Sequence, residues 1–210
     1  MHKMYSELEQ TILSKIRPFE PTEQRKEIVL PLLRYVQEKI RLQQPILLNF
    51  ICTHNSRRSH LAQIWAQTAA YYFNLTNVYC YSGGTEVTSL FPAIVSVLSQ
   101  QGFQIQQLAV NEQPFYAIKF ADNQMPILGF SKLYNNCFNP SSDFAAVLTC
   151  SQADVGCPYI AGAAQRISIS FNDPKVSDGT PEQDFVYSER SLAIAREMFY
   201  VFAQINRNEA

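Results

Sequence analysis

The densest group of reactive side chains in the sequence is Cys52-Thr53-His54-Asn55-Ser56-Arg57-Arg58-Ser59. It follows a short apolar run, Ile46 to Ile51, and precedes a segment with helical patterning. A loop that closes into a helix N-terminus turns several backbone N–H groups inward. It also adds the positive end of the helix dipole, and together these form a cradle for an oxyanion. Thr53, His54, Asn55, Ser56, Arg57 and Arg58 are the candidate oxyanion-binding residues. The same field favours the thiolate of Cys52, the form that acts as a nucleophile. Arg58 supplies a planar, permanently charged fork suited to a tetrahedral oxyanion. Ser59 can donate a hydrogen bond to the thiolate or to the loop, and Asn55 tolerates the left-handed backbone that a tight anion loop needs. The alternative is a buried thiol beside two solvated arginines. The strand before, the helix after and the spacing Cys, five residues, Arg, Ser weigh against it.

The chain has five cysteines, at positions 52, 80, 137, 150 and 157, so at least one has no intrachain partner. Cys80 reads as strand core and Cys137 as a thiol of an insertion. His54 and His60 flank the loop, but Cys-x-x-Cys and His-x-x-x-His spacings are missing, so no metal is expected.

These residues need a scaffold, and the composition allows one. Of 210 residues, 47% are hydrophobic, enough for one domain with an appendage. The net charge of −1 leaves no basic excess for nucleic acid or an acidic membrane surface. Charged and aromatic contents of 17% and 12% exclude a disordered chain. Lys3, Glu7 and Glu9 stand where a secretory signal needs an apolar core, and no run approaches the roughly 20 apolar residues of a membrane span. A cytoplasmic protein with reduced thiols is expected.

Residues 5–43 read as two helices, the second from about Thr22 to Gln43 and kinked or split at Pro31. From Pro45 strands and helices alternate: strand 46–51, helix 57–73, strand 78–81, helix 92–101, strand 103–106, strand 144–149 and helix 182–205. Residues 112–142, with Pro114, Pro126 and Pro140, break the alternation as a hairpin or long loop. The expected architecture is α/β: an open, mostly parallel sheet with helices on both faces. An N-terminal helical extension (1–44) precedes a domain over 45–210 carrying the 112–142 insertion. The extension offers either a homodimer surface or a brace for the sheet.

Ile51 to Ser59, with Tyr81-Ser82-Gly83-Gly84-Thr85 after the second strand, resembles the active-site loop and Ser-Ala-Gly turn of the low-molecular-weight protein tyrosine phosphatase superfamily. That resemblance implies four strands of flavodoxin-like topology with the loop at a strand's carboxyl end. It also implies a general acid in a later Asp-Pro, matched by Phe171-Asn172-Asp173-Pro174, where Pro174 holds Asp173 extended. Thr149-Cys150 to Cys157-Pro158, placed before that loop, resembles the thioredoxin-coupled arsenate reductases of the same fold. By that resemblance Cys52 attacks arsenate, Cys150 displaces arsenite by forming a disulfide with Cys52, and Cys157 takes over the disulfide. Thioredoxin then reduces it, and no cofactor is bound. The spacing fits such a relay. Two helical turns would hold Cys150 and Cys157 roughly 10 Å apart, whereas a disulfide needs Cα atoms within roughly 7 Å. The segment must therefore unwind, which Gly156 and Pro158 ease.

His54 departs from the usual glycine of the loop, Arg57 from a cysteine or apolar residue, and Gln63 from a glutamate tied to a monovalent cation. Lys175 stands where eukaryotic phosphatases begin a tyrosine pair, which disfavours aryl phosphates. Two other readings remain: a phosphate-monoester hydrolase, such as a low-molecular-weight tyrosine phosphatase, working through a phosphocysteine, and a non-enzymatic thiol module that binds oxyanions.

Overall fold

The computed structural model describes residues 3–109, 113–156 and 159–205. Four strands, β1 (Ile46–Cys52), β2 (Val78–Gly84), β6 (Phe144–Leu148) and β7 (Ala163–Ser168), form a parallel sheet in the order β2-β1-β6-β7. The crossovers are α3 (Arg58–Tyr72) after β1, a long excursion after β2 that begins with α4 (Pro92–Gln100), and the short helix α5 (Ser151–Gly156) after β6. After β7 the chain makes a 3₁₀ turn, Pro174–Ser177, and ends in α6 (Gln183–Ala203). The parallel order is the one expected from the buried apolar runs.

The fourth strand is not the expected one. Gln104–Ala109 (β3) pairs antiparallel with β4 (Phe115–Lys119), which pairs with β5 (Ile127–Gly129) in a separate three-stranded sheet. Its mostly exposed residues explain this, because an inner parallel strand needs both faces apolar. The parallel sheet is completed instead by β7, an edge strand. Its sequence Ala-Ala-Gln-Arg-Ile-Ser lacks an apolar run and so carried no strand signal.

The two faces of the sheet are covered unequally. Leu48 and Phe50 of β1 point into the main core with Trp65 of α3 and Met198 and Phe202 of α6. Ile51, Ala146 and Leu148 point the other way into a small cluster closed by Cys150, Ala153, Ile160 and Tyr134. The thin cover on that face is the side from which both candidate redox sulfurs project.

The N-terminal extension is built into the main core. Leu8 of α1 (Ser6–Thr11) and Ile12 and Ile16 of the π-helical turn after it are at most 1% exposed. Helix α2 (Glu23–Arg41) starts at Thr22, whose hydroxyl accepts from the Arg25 N–H. Pro31 does not split α2. It lies on the exposed side, where water can serve the carbonyl it leaves unbonded, while Val29, Leu32 and Val36 pack inward. Much of the extension's apolar surface is thus buried within the chain, as a brace requires, while Leu13, Phe19 and Leu42 stay exposed.

At its edge, β2 is protected by side chains. The Gln67 amide donates to the Val78 carbonyl and accepts from the Cys80 N–H, and the Gln63 amide donates to the Cys80 carbonyl, each at 3.0 Å. At the other end of β2 the segment 132–134 takes over, with Gly84 N–H on Lys132 O at 2.8 Å and Tyr134 N–H on Gly84 O at 2.9 Å. The stretch after β2 therefore does more than loop out, because its far end is bonded beside the Cys52 loop.

Candidate active site

β1 ends at Cys52 and α3 begins at Arg58, so the five residues between form a tight turn at the carboxyl edge of the sheet. The turn is fixed by its carbonyls. Cys52 O accepts from Thr85 N, Thr53 O from Glu86 N and the Thr85 hydroxyl, His54 O from the Thr88 and Ser131 hydroxyls, and Ser56 O from Phe91 N. Tying the carbonyls to surrounding segments leaves a compact loop at a helix N-terminus, the type of backbone that can bind an oxyanion through its N–H groups. Gly84 is required here, because a Cβ would lie 2.7 Å from Thr53 O and 2.8 Å from Asn55 N.

Asn55 is fully buried and adopts φ 44°, the left-handed conformation expected of it. Its Oδ1 accepts from Lys132 N and its Nδ2 donates to Ser59 Oγ, both at 2.9 Å. Ser59 Oγ lies 3.1 Å from Cys52 Sγ. Because Asn55 already donates to the Ser59 oxygen, the Ser59 proton is free to point at Cys52, where it stabilises a thiolate.

The two arginines of the loop diverge. Arg58 is buried and faces the Asp173 segment: Nη2 is 2.5 Å from Asp173 Oδ2, and Nη1 donates to Phe171 O at 3.1 Å. The candidate acid is thus brought to the candidate anion ligand. Asp173 also caps the 3₁₀ turn through Lys175 N–H. The Arg57 guanidinium instead bonds Asp178 (2.5 Å) and the Tyr187 hydroxyl (2.6 Å) and lies over the Phe91 ring at 4.0 Å. Only the Arg57 main chain is left to the loop, so its side chain is not where oxyanion binding would need it. His54 turns outward too, with Nε2 3.4 Å from Glu86 Oε2, and does not crowd the cradle.

Cys150 lies two residues beyond β6, the parallel neighbour of β1. Its sulfur is 3.6 Å from Thr53 Oγ1, the hydroxyl of the residue after Cys52, and accepts from Ala153 N–H at 3.3 Å in the first turn of α5. Cys52 and Cys150 are both buried free thiols of one cluster. Cys157 lies outside the described residues. Residues 151–156 before it are helical, as expected for the reduced segment. Cys80 is a buried strand thiol and Cys137 an exposed one in the insertion, both apart from this cluster.

Curated relatives match most of the chain. An arsenate reductase of Staphylococcus aureus (strain Newman) is 28% identical over 151 residues, 71% of this chain and 92% of the relative. The arsenate reductase of Bacillus subtilis (strain 168) is 28% identical over 144 residues, covering 69% and 85%. This chain is similar to arsenate reductases. A solved thioredoxin-dependent arsenate reductase from Corynebacterium glutamicum covers 93% of this chain and 84% of its own, at 19% identity and a TM-score of 0.41. No family model matches the chain.

Several residues of this site gave no sequence signal. Lys132 is 2% exposed, with its ammonium 4.2 Å from the Phe130 ring centre and 5.4 Å from that of Phe138. Burial pulls its pKa down to about 7. His60, behind the loop, has Nδ1 3.3 Å from the Ser82 hydroxyl, and burial and then the charge of Lys132 hold its pKa down to about 3, so it is neutral. Ser131, Lys132, Asp178 and Tyr187 reach the loop only through tertiary contacts, with no motif spacing to announce them. Among the described residues no group of three or more His, Cys, Asp or Glu is placed to hold a metal ion, and no helix is long and apolar enough to cross a membrane.

Proposed function

We propose that the protein reduces arsenate to arsenite through Cys52, Cys150 and Cys157, with thioredoxin as the reductant. The observation that carries this reading is the second buried thiol: Cys150 stands at the end of the strand beside that of Cys52, with its sulfur against Thr53. A hydrolase acting through a phosphocysteine needs one sulfur there, and a reductase needs two. The similarity to arsenate reductases over 71% of the chain supports the same choice.

In this mechanism arsenate enters the cradle of loop N–H groups and takes the Arg58 fork that Asp173 occupies in its absence. The Cys52 thiolate, held by Ser59, attacks arsenic, and Asp173 protonates the departing oxygen, which leaves as water. The Cys150 thiolate then attacks Cys52 Sγ. The arsenic–sulfur bond breaks with its electron pair passing to arsenic, giving arsenite and a Cys52–Cys150 disulfide. Cys157 attacks Cys150, freeing the Cys52 thiolate, and the resulting Cys150–Cys157 disulfide takes two electrons from a thioredoxin dithiol. Each turnover thus moves two electrons from thioredoxin to arsenic.

The test is arsenate-dependent NADPH consumption with thioredoxin and thioredoxin reductase, comparing the wild type with Cys150→Ser and Cys157→Ser. The wild type turns over repeatedly and neither variant does. Full multiple turnover by both variants sinks the relay, and phosphate-ester hydrolysis without arsenate reduction transfers the assignment to the hydrolase.

A further inference from the structure

Arg25 of the N-terminal extension reaches the acid loop through its guanidinium. Arg25, in the first turn of α2, makes a two-pronged ion pair with Glu197 of α6, Nε to Oε1 at 2.7 Å and Nη2 to Oε2 at 2.8 Å. Its remaining nitrogen, Nη1, donates to the Ser170 carbonyl at 3.0 Å, and its guanidinium centre lies 5.0 Å from the Phe171 ring centre. Ser170 and Phe171 lead directly into Asp173.

The other side of this short segment is held by the site itself. Ile169 N–H and Phe171 N–H bond the carbonyls of Leu148 and Thr149 at the end of β6, and Phe171 O accepts from Arg58. The segment is therefore clamped between two guanidinium groups, Arg58 from the anion loop and Arg25 from the extension. Arg58 must exchange Asp173 for the anion during the reaction, so its grip changes, whereas nothing in the chemistry disturbs Arg25. Removing the fixed clamp would leave residues 170–173 held only by the Ile169 and Phe171 main-chain bonds whenever Arg58 turns to the anion, and a displacement of about 1 Å at a reacting group can cost on the order of a hundredfold in rate.

We propose that Arg25 is a positioning residue for the reaction: through Ser170 and Phe171 it sets the reach of Asp173, and this makes the N-terminal extension part of the catalytic unit. The proposal rests on the reading of Asp173 as the proton donor. The neighbouring charges are those of a shared cluster. Arg190, on the same face of α6 as Glu197, interacts electrostatically with Arg58, Arg25, Glu197 and Asp173, and burial holds the Glu197 carboxyl above its usual range. Deleting Arg25 alone would leave a buried carboxylate without its main partner, so the informative variant removes both charges, Arg25→Gln with Glu197→Gln.

Two measurements on the full chain test it. In the arsenate, thioredoxin and NADPH assay the double variant loses roughly ten- to a hundredfold in kcat, with the KM for arsenate changed less than about threefold, because Arg58 and the loop amides remain. In an Asp173→Asn background the same pair of substitutions has no further effect on kcat. Independently of any activity, hydrogen exchange at the Phe171 amide accelerates about tenfold or more in the double variant. Arg25→Lys, which keeps a charge for Glu197 but loses the fork and the flat face over Phe171, gives an intermediate loss. Unchanged exchange at Phe171, or a full additional loss of kcat in the Asp173→Asn background, overturns the proposal. A wild type that does not reduce arsenate overturns the functional reading instead, and the exchange result then decides the positioning role alone.

Discussion

The Cys52 loop and the Cys150 segment stand at the ends of adjacent parallel strands, yet the protein holds them in opposite ways. In the loop, the carbonyls of Cys52, Thr53, His54 and Ser56 are each tied to a neighbouring segment, and Asn55 is locked from both ends of its amide. In α5, only Ala153 is buried, Ser151, Gln152, Val155 and Gly156 are exposed, and the helix is six residues long. Its ties to β7 include Asp154 contacts with the Arg166 guanidinium and the Ser168 hydroxyl. Surface pairs of this kind are each worth about 0–1 kcal/mol. The difference follows from what each sulfur has to do in the proposed reaction. A nucleophile and its anion cradle work in one geometry and are overdetermined. A sulfur that must form a disulfide with a residue seven positions on has to travel, and its segment is lightly held.

That contrast can be broken at several places. The largest effect is expected at the rigid region: Cys52→Ser abolishes arsenate turnover, a loss of at least about 1,000-fold. Arg58→Lys, which replaces the fork by a point charge, costs about 100-fold in kcat/KM. Steady-state rates at varied arsenate check both. Asn55→Ala puts a residue with no side-chain amide at φ 44°, removes the donor to Ser59 and orphans the Lys132 N–H, so urea denaturation shows a loss of about 2–4 kcal/mol. An unchanged midpoint would mean that the loop is not held as described.

A smaller effect sits just behind the loop. Lys132 titrates near 7 when folded and near 10.5 when unfolded, so between those values the unfolded chain binds more protons. Raising the pH from 7 to 8.5 therefore stabilises the protein, by about 1 kcal/mol per pH unit, and Lys132→Met removes that slope. The window ends there because burial raises the Cys80 thiol above its ordinary range, and stability tied to that thiol is lost as the unfolded thiol ionises. Urea denaturation at pH 7.0, 7.8 and 8.5 measures the slope, and a flat profile in the wild type contradicts it. The smallest effect is expected at the light region. Asp154→Ala costs under about 1 kcal/mol in global stability yet speeds hydrogen exchange at α5 amides. Equal exchange in variant and wild type would show that α5 is held by something other than its β7 clamp.

The site was legible in the sequence where function compresses into a short span. Cys52 to Ser59 is one contiguous stretch between a strand and a helix, so residue types and spacing suffice to place the thiol, the fork and the Ser59 donor together. The left-handed Asn55 followed from the same logic. Arg57 could not be read that way, because its direction depends on Asp178 and Tyr187, which are over a hundred residues away. Strand β7 was illegible for a related reason. As an edge strand it needs one apolar face at most, and Gln165 and Arg166 mask it.

What the sequence determined by itself is local chemistry and the alternation of elements: a candidate anion loop at the end of β1, a second cysteine at the end of a buried strand, a helical segment after it, and an Asp-Pro downstream. These follow from periodicity, backbone preference and charge over a few residues. Only the tertiary structure decided which strands are neighbours, that Cys150 lies against Thr53, that Asp173 sits on Arg58, and that Arg25 of the extension grips the chain beside Asp173. The side-chain contacts among them join segments about a hundred residues apart or more, and even the nearest strand partners lie about twenty residues apart. They are set by how the apolar faces close over one another, which no local pattern encodes.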